Sequence, residues 1–187
     1  MPPFDRMIAT DGALLVVDLQ DRLLRAVDGR DRVVANILRL ARAAALLDVP
    51  ALATEQNPEK LGPSLPGLAE LIPDRPAKMT FHACGAPGIV EALASGYVRH
   101  VTLVGIEAHV CVAQSALELV RLGYRVQVPA DAVGSRFAVD RDFALRRLDR
   151  AGVVVTTAEA ALFEWAESAD HPRFRELSAL VKERTEA

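Results

Sequence analysis

Short apolar runs alternate with helical patterns along the whole chain, and this alternation restricts the fold more than any other feature. Residues 13–17 (ALLVV) form a wholly apolar run, as in strands that are covered on both faces. Residues 31–47 then place apolar side chains at helical spacing. About six strand candidates alternate with helices, which predicts a three-layer α/β fold with a mostly parallel sheet. We expect one domain over residues 1–187.

The other elements follow from the same two periods. The remaining strands are expected at 51–54, 77–81, 101–105, 124–129 and 153–157, and the remaining helices at 87–95, 112–122, 139–149, 158–166 and 172–182. In the helix at 139–149, Phe143, Ala144 and Leu148 are expected to face the core. Trp165 is expected in the core or at an interface. The Pro- and Gly-rich segment 57–76 excludes a long helix and is either a connection or a loop over a site.

Charge and composition exclude several functions. The net charge of -3 and the pI near 5.8 give no electrostatic case for a nucleic-acid partner. No segment is long and apolar enough to span a bilayer, and the two cysteines lack the spacing of zinc ligands. No Gly-rich phosphate motif follows the first strand, so no nucleotide cofactor is predicted. We expect a cytoplasmic protein without a cofactor.

Cys111 lies at the predicted start of the helix at 112–122, directly after a buried strand. The first N–H groups of a helix have no intrahelical partner and carry partial positive charge. A thiol there is expected to have a lowered pKa and to act as a nucleophile, and the same N–H groups can hold an oxyanion. The alternative is that Cys111 is a small buried hydrophobe.

Asp18 follows the first strand, where ligands of open α/β sheets bind. It is either a general base or a turn and capping residue. Lys78 lies in an apolar stretch, either as a cation of the site or as an exposed edge lysine. Together, a carboxylate, an ammonium and a thiol suit acyl transfer through a covalent intermediate.

On these residues the sequence resembles the isochorismatase-like cysteine hydrolase superfamily. The matching motifs are LLVVDLQDRL around Asp18, AKMTF around Lys78, and VGIEAHVCVAQSALELVRLGYRVQVPADAVGSR around Cys111. The finer resemblance, on GIEAHVCV, TEQNP and the HPRFRELSALVKE tail, is to the isochorismatase domain-containing proteins.

The resemblance implies a catalytic triad of Asp18, Lys78 and Cys111 in a homodimer or homotetramer. It also implies a doubly wound, Rossmann-like sheet and a non-proline cis peptide between Ile106 and Glu107. That peptide is expected to aim the backbone N–H groups of Glu107 and Cys111 at one oxyanion.

Departures from better-known members narrow the expected activity. Nicotinamidases of this superfamily resemble one another in an Asp-x-His segment that binds a metal, whereas no histidine occurs here before His82. No metal site is therefore predicted. Isochorismatase proper cleaves a vinyl ether without a cysteine nucleophile, so Cys111 argues against that reaction.

Six further residues are candidates for substrate binding, because they flank the triad at strand ends. They are Gln20, Glu55, Gln56, Phe81, His82 and His109. His109 has a surface or supporting role as its alternative. His100 and His171 are expected at the surface. Cys84 allows a redox reading in which it pairs with Cys111.

The sequence thus predicts a metal-independent cysteine hydrolase that acts on a small amide or related acyl compound through a thioester. Two alternatives remain at this point. The first is a non-catalytic interaction protein that retains the fold, and the second is a thiol redox protein.

Overall fold

A computed structural model describes residues 6–183, in which seven parallel strands form one sheet. The strands are β1 (Gly12–Val17), β2 (Ala51–Gln56), β3 (Ala77–Lys78), β4 (His100–Ile106), β5 (Arg125–Pro129), β6 (Val133–Gly134) and β7 (Val154–Thr156). Their order is β3-β2-β1-β4-β5-β7, and β6 pairs with the end of β4. The predicted α/β architecture is therefore confirmed, with a short additional strand at the carboxyl end of β4.

Helices cover both faces of the sheet. They are α1 (Asp21–Leu24), α2 (Arg30–Leu46), α3 (Pro58–Leu61), α4 (Pro66–Leu71), α5 (Ile89–Ser95), α6 (Ala113–Arg121), α7 (Ala138–Arg150), α8 (Ala158–Ala166) and α9 (Phe174–Lys182). None of these helices has the length and apolar character needed to cross a membrane.

Alternation along β1 divides the core into two layers. Leu14 and Val16 join a cluster with α2, α8 and α9, in which Trp165 is buried as predicted. Leu15 and Val17 point to the opposite face and pack with α5, α6 and α7. Because a strand presents successive side chains to opposite faces, a wholly apolar strand must lie between two packed layers.

The chain reverses its direction across the sheet between β1 and β4. From β1 it proceeds outward through β2 to β3, and from β4 it proceeds the other way through β5 to β7. Gly105 lies at this boundary with φ of 127°, and a Cβ there would approach the Val17 carbonyl oxygen to 2.1 Å. Glycine is thus required for β4 to lie this close to β1. The crevice beyond such a boundary is where open α/β sheets bind ligands.

Several local predictions are wrong. Phe143 is 64% exposed, because α7 buries only Ala144 and Leu148. The strand expected at 77–81 is limited to two residues, and the helix expected at 87–95 begins at Ile89, after Gly88 with φ of 80°. His100 is buried at the start of β4 rather than exposed.

The segment 57–76 contains no long helix, as expected. It folds into α3 and α4, each of which begins at a proline. Proline fits the first helical turn, where its missing N–H would have no intrahelical partner. The segment is joined to the turn after β1 through a bridge between Gln20 and Ser64.

Candidate active site

Asp18 directly follows the last residue of β1 and is fully buried, with φ of 54°. Its Oδ1 accepts a hydrogen bond from the Thr54 hydroxyl at 2.9 Å, and its Oδ2 accepts one from the Lys78 ammonium at 2.7 Å. Desolvation by burial raises the pKa of the Asp18 carboxyl above its ordinary value, although Lys78 and the hydrogen bonds act in the opposite direction. A carboxylate with a raised pKa is suited to accept and return a proton.

Lys78 is the last residue of β3, and its side chain is fully buried beside Asp18. Its Nζ donates to Gln56 Oε1 at 2.6 Å and to the carbonyl oxygens of Phe81 at 3.0 Å and Thr80 at 3.3 Å. A buried charge is tolerated only when it is paired and hydrogen-bonded. The site meets that condition with one carboxylate and three neutral oxygens.

Cys111 lies in a π-helical turn, Ala108–Val112, that continues directly into α6. The helical segment therefore begins earlier than predicted, and Cys111 is within its first turn. The thiol lies near the Asp18 carboxyl and the Lys78 ammonium, and both groups act on it electrostatically. The structure thus brings together the acid, the lysine and the cysteine from three distant parts of the chain.

The pKa of Cys111 differs from the expectation. Burial and the neighbouring Asp18 charge raise the pKa of the thiol to about 12, and the opposing effect of Lys78 is smaller. The prediction of a lowered pKa is wrong, because desolvation of a nearly buried thiolate and the Asp18 charge outweigh the effect of Lys78. In the free protein Cys111 is therefore a thiol at neutral pH, and its proton must be removed during attack.

Three side-chain contacts hold the turn that carries Cys111. The Ser115 hydroxyl donates to the Cys111 carbonyl oxygen at 2.6 Å and accepts from the Ala83 N–H at 2.7 Å. His109 Nδ1 is hydrogen-bonded to the Ser135 hydroxyl at 3.0 Å. The turn is consequently bonded to the loop after Lys78 on one side and to the segment directly after β6 on the other.

The third contact lies at the start of the turn. Glu107 Oε1 accepts from the backbone N–H and the Nε of Arg136, at 3.1 and 3.0 Å. The peptide between Ile106 and Glu107 is cis, as the resemblance implied.

Sequence reasoning missed Thr54, Ser115, Ser135 and Arg136 as parts of this arrangement. Ser115 had a signal, because a serine four residues after Cys111 in a helix can bond to the Cys111 carbonyl oxygen.

Gln20, Glu55 and Gln56, predicted to bind substrate, are buried and bonded within the protein. Gln20 bonds to the backbone of Gln56 in both directions. Glu55 accepts from the Ser64 N–H at 2.8 Å and from Arg75 Nε at 3.1 Å. Burial alone raises the pKa of Glu55, but these hydrogen bonds and the Arg75 charge together lower it below its ordinary value.

The aromatic candidates are placed differently. The side chain of Phe81 is largely exposed, although its carbonyl oxygen binds Lys78. His82 is partly buried near Glu118 of α6, and His109 is hydrogen-bonded to Ser135.

Cys84 is a free thiol, like Cys111, and burial raises its pKa to about 11. Within residues 6–183, no three His, Cys, Asp or Glu side chains are grouped as metal ligands.

Fold and site together define an α/β protein with a buried carboxylate, ammonium and thiol at the point where strand order reverses. The model of the isochorismatase domain matches residues 12–160. Isochorismatase domain-containing protein 2 of Danio rerio is 36% identical over 183 residues, which cover 97% of this chain and 92% of that protein. The chain therefore belongs to the isochorismatase family, and the resemblance inferred from its motifs is confirmed.

Solved structures agree with this assignment. A structure described as MAR1 ribonuclease from Caenorhabditis elegans has a TM-score of 0.91 and 36% identity, covering 98% of this chain and 95% of that chain. The YcaC gene product of Escherichia coli, described as an octameric hydrolase of unknown specificity, has a TM-score of 0.84 and 26% identity over 96% of this chain and 97% of that one. The family fold supports a hydrolase role.

Proposed function

We propose that this protein is a metal-independent cysteine hydrolase that converts a small amide or related acyl compound into an acid and an amine. The observation that carries the proposal is the contact of one thiol with both members of a fully buried ion pair. Buried charges are expensive to maintain and are concentrated at functional sites. A purely structural pair does not explain why the thiol is the third partner.

In the proposed first step, the Cys111 sulfur attacks the substrate carbonyl carbon as its proton passes to the Asp18 carboxylate. The raised pKa of Asp18 favours this acceptance, since the acid and the attacking thiol are then closer in proton affinity. Lys78 stabilises the negative charge that moves between carboxylate and sulfur. The backbone N–H groups of Glu107 and Cys111 are proposed to hold the oxyanion.

The intermediate then collapses to a thioester. The carbon–nitrogen bond breaks, and Asp18 returns its proton to the leaving amine. Asp18 next removes a proton from a water molecule that attacks the thioester carbonyl, and it passes this proton to the Cys111 sulfur as the carbon–sulfur bond breaks. The products are the carboxylic acid and the free Cys111 thiol, so one water is consumed for each amide bond broken and the triad is restored.

Purified protein incubated with a panel of small primary amides, N-carbamoyl compounds and aryl esters tests the proposal. At least one compound is expected to be hydrolysed, with turnover reduced by about 10³-fold or more in Cys111→Ala and Asp18→Asn. Equal turnover in wild type and Cys111→Ala would overturn the cysteine mechanism.

RNA is a second substrate class to test, because one relative is described as a ribonuclease. The net charge of -3 argues against it, since phosphate backbones are bound mainly by cationic surfaces. An RNA arm in the same panel is expected to show no cleavage that depends on Cys111. Cysteine-dependent cleavage of RNA would replace the amide as the proposed substrate.

Exposed apolar side chains support a homo-oligomer. Met79, Phe137 and Phe143 are exposed by 73%, 62% and 64%. Association of copies of the chain would remove such apolar surface from water. A related structure is described as octameric, and sedimentation velocity checks the assembly state of this chain. An interaction protein without catalysis remains the alternative if no compound is hydrolysed.

A further inference from the structure

Gln56 is held so that its amide oxygen faces the Lys78 ammonium. Gln56 Oε1 accepts from Lys78 Nζ at 2.6 Å, and Gln56 Nε2 donates to the Met79 carbonyl oxygen at 3.2 Å. Because an amide nitrogen donates and an amide oxygen accepts, these two partners fix which end of the amide meets Lys78. Gln56 has only 9% of its surface exposed.

The backbone of Gln56 is fixed by a second buried amide, Gln20. The Gln56 N–H donates to Gln20 Oε1 at 2.8 Å, and Gln20 Nε2 donates to the Gln56 carbonyl oxygen at 3.0 Å. Gln20 Nε2 also donates to the Gly62 carbonyl oxygen at 2.6 Å. Both the side chain and the main chain of Gln56 are therefore anchored before any substrate binds.

Neutrality distinguishes Gln56 from the other close acceptor of Lys78. The two shortest bonds of the ammonium go to Asp18 Oδ2, at 2.7 Å, and to Gln56 Oε1, at 2.6 Å. The amide satisfies one N–H of the ammonium without adding negative charge. The positive charge of Lys78 thus remains available to Asp18 and to the sulfur of Cys111. A carboxylate in the same place would compete with both.

We propose that Gln56 is a positioning residue that holds Lys78 Nζ between Asp18 and Cys111 and keeps the net charge of this group suited to proton transfer. This role rests on the proposed cysteine mechanism. It differs from substrate contact, which the sequence pattern alone suggested for Gln56. The charged groups that act on the Cys111 thiol are Asp18 and Lys78. A negative charge at position 56, in contact with the Lys78 ammonium, would offset part of the Lys78 charge that acts on the carboxylate and the thiol.

The test is the rate of Cys111 alkylation by iodoacetamide, followed by peptide mass from about pH 5 to about pH 10. In the wild type the rate is expected to rise through the pKa of Asp18, because the carboxylate assists removal of the thiol proton. In Gln56→Glu the midpoint of this rise is expected to move upward by about one pH unit, with a rate about tenfold lower on the acid side. Gln114→Glu is the matched control, because it adds the same charge at an exposed position of α6.

A second variant covers the case in which Gln56→Glu does not fold. Gln56→Met removes the amide oxygen without adding charge, and its alkylation rate at about pH 8 is expected to be about tenfold lower than in the wild type. Gln127→Met is its control, a fully buried amide of β5 that bonds to Thr102 and is expected to leave the rate unchanged.

Different failures have different signatures. A wild-type profile with no dependence on Asp18, unchanged in Asp18→Asn, overturns the proposed mechanism itself. An Asp18-dependent profile whose midpoint is unchanged in Gln56→Glu overturns only the role of Gln56. A raised KM for hydrolysis with an unaltered alkylation profile would assign Gln56 to substrate binding instead.

Discussion

An acid–base pair lies at each end of strand β1, and the two pairs differ in burial. At the carboxyl end, the side chains of Asp18 and Lys78 are fully buried 2.7 Å apart. At the amino end, Asp11 Oδ1 lies 3.2 Å from His100 Nε2, and the Asp11 side chain keeps 28% of its surface exposed. Burial lowers the pKa of His100, so this pair is not a full ion pair at neutral pH.

The difference in burial between the two pairs shows at which end of the sheet charged side chains are kept away from water. His100 can lose its charge and the partly exposed Asp11 carboxylate can be solvated. Lys78 and Asp18 are enclosed, so they depend on each other and on neutral acceptors. Only the carboxyl-end pair contacts a thiol. The carboxyl end of the sheet has both a buried ion pair and a nucleophile. We therefore assign the active site to this end.

Breaking each pair by one substitution should produce the largest contrast. Lys78→Met leaves Asp18 buried without its counterion, and we expect the free energy of unfolding to fall by about 3–5 kcal/mol. Asp11→Asn leaves a neutral histidine beside a neutral amide, and we expect less than about 1 kcal/mol. Urea unfolding of both variants checks the contrast. Equal losses would show that the two pairs are energetically alike.

A smaller effect is expected from Ser115→Ala, which removes the link between the cysteine turn and the loop after Lys78. The substitution leaves the Ala83 N–H and the Cys111 carbonyl oxygen without this partner, so we expect a loss of about 1–3 kcal/mol in unfolding free energy. The alkylation rate of Cys111 is expected to fall as well. Ser95→Ala, at an exposed serine of α5, is the control, and an equal effect in both would remove Ser115 from the site.

The smallest effect is a difference in pH dependence. The folded-state pKa of His100 is lowered from 6.5, so its contribution to stability is present above that value and is lost as pH falls through the folded pKa. Asp18 has the opposite sign, because its raised pKa gives a contribution that is present below 3.8 and lost as pH rises through the folded value.

His100→Gln isolates the histidine part of this difference. Below about pH 6.5 the wild type is expected to lose unfolding free energy faster than His100→Gln does, as measured by urea unfolding at several pH values. Parallel curves would show that His100 titrates equally in the folded and unfolded chain.

Sequence patterns predicted where most helices and strands lie, but not which of their side chains are covered by neighbouring parts of the fold. The helix Ala158–Ala166 was predicted with the bounds that the structure has, because its apolar residues are a local signal. Phe143 was assigned to the core because periodicity defines a helical face without showing whether another layer covers it. His100 was assigned to the surface for the converse reason, since burial at a strand's start depends on the neighbouring strands.

The site shows the same limit. Strand ends and motifs were sufficient to select Asp18, Lys78 and Cys111, which the structure places together. The pKa of Cys111 was predicted in the wrong direction, because desolvation depends on all the residues that enclose the thiol and is the largest cause of its raised pKa. The hydrogen bonds of Gln20 and Gln56 could not be predicted from the sequence for a related reason. A buried amide is defined by partners that lie far away in the sequence.

An acyl group on Cys111 is the most direct evidence for or against the proposed chemistry. Wild-type protein mixed with a reactive aryl ester, quenched in acid within the first turnover and digested, is analysed by peptide mass. A mass increase equal to the acyl group is expected on the peptide that contains Cys111, disappearing as hydrolysis proceeds and absent from Cys111→Ala. Complete hydrolysis of the ester with no acyl group on that peptide at any time would contradict the account.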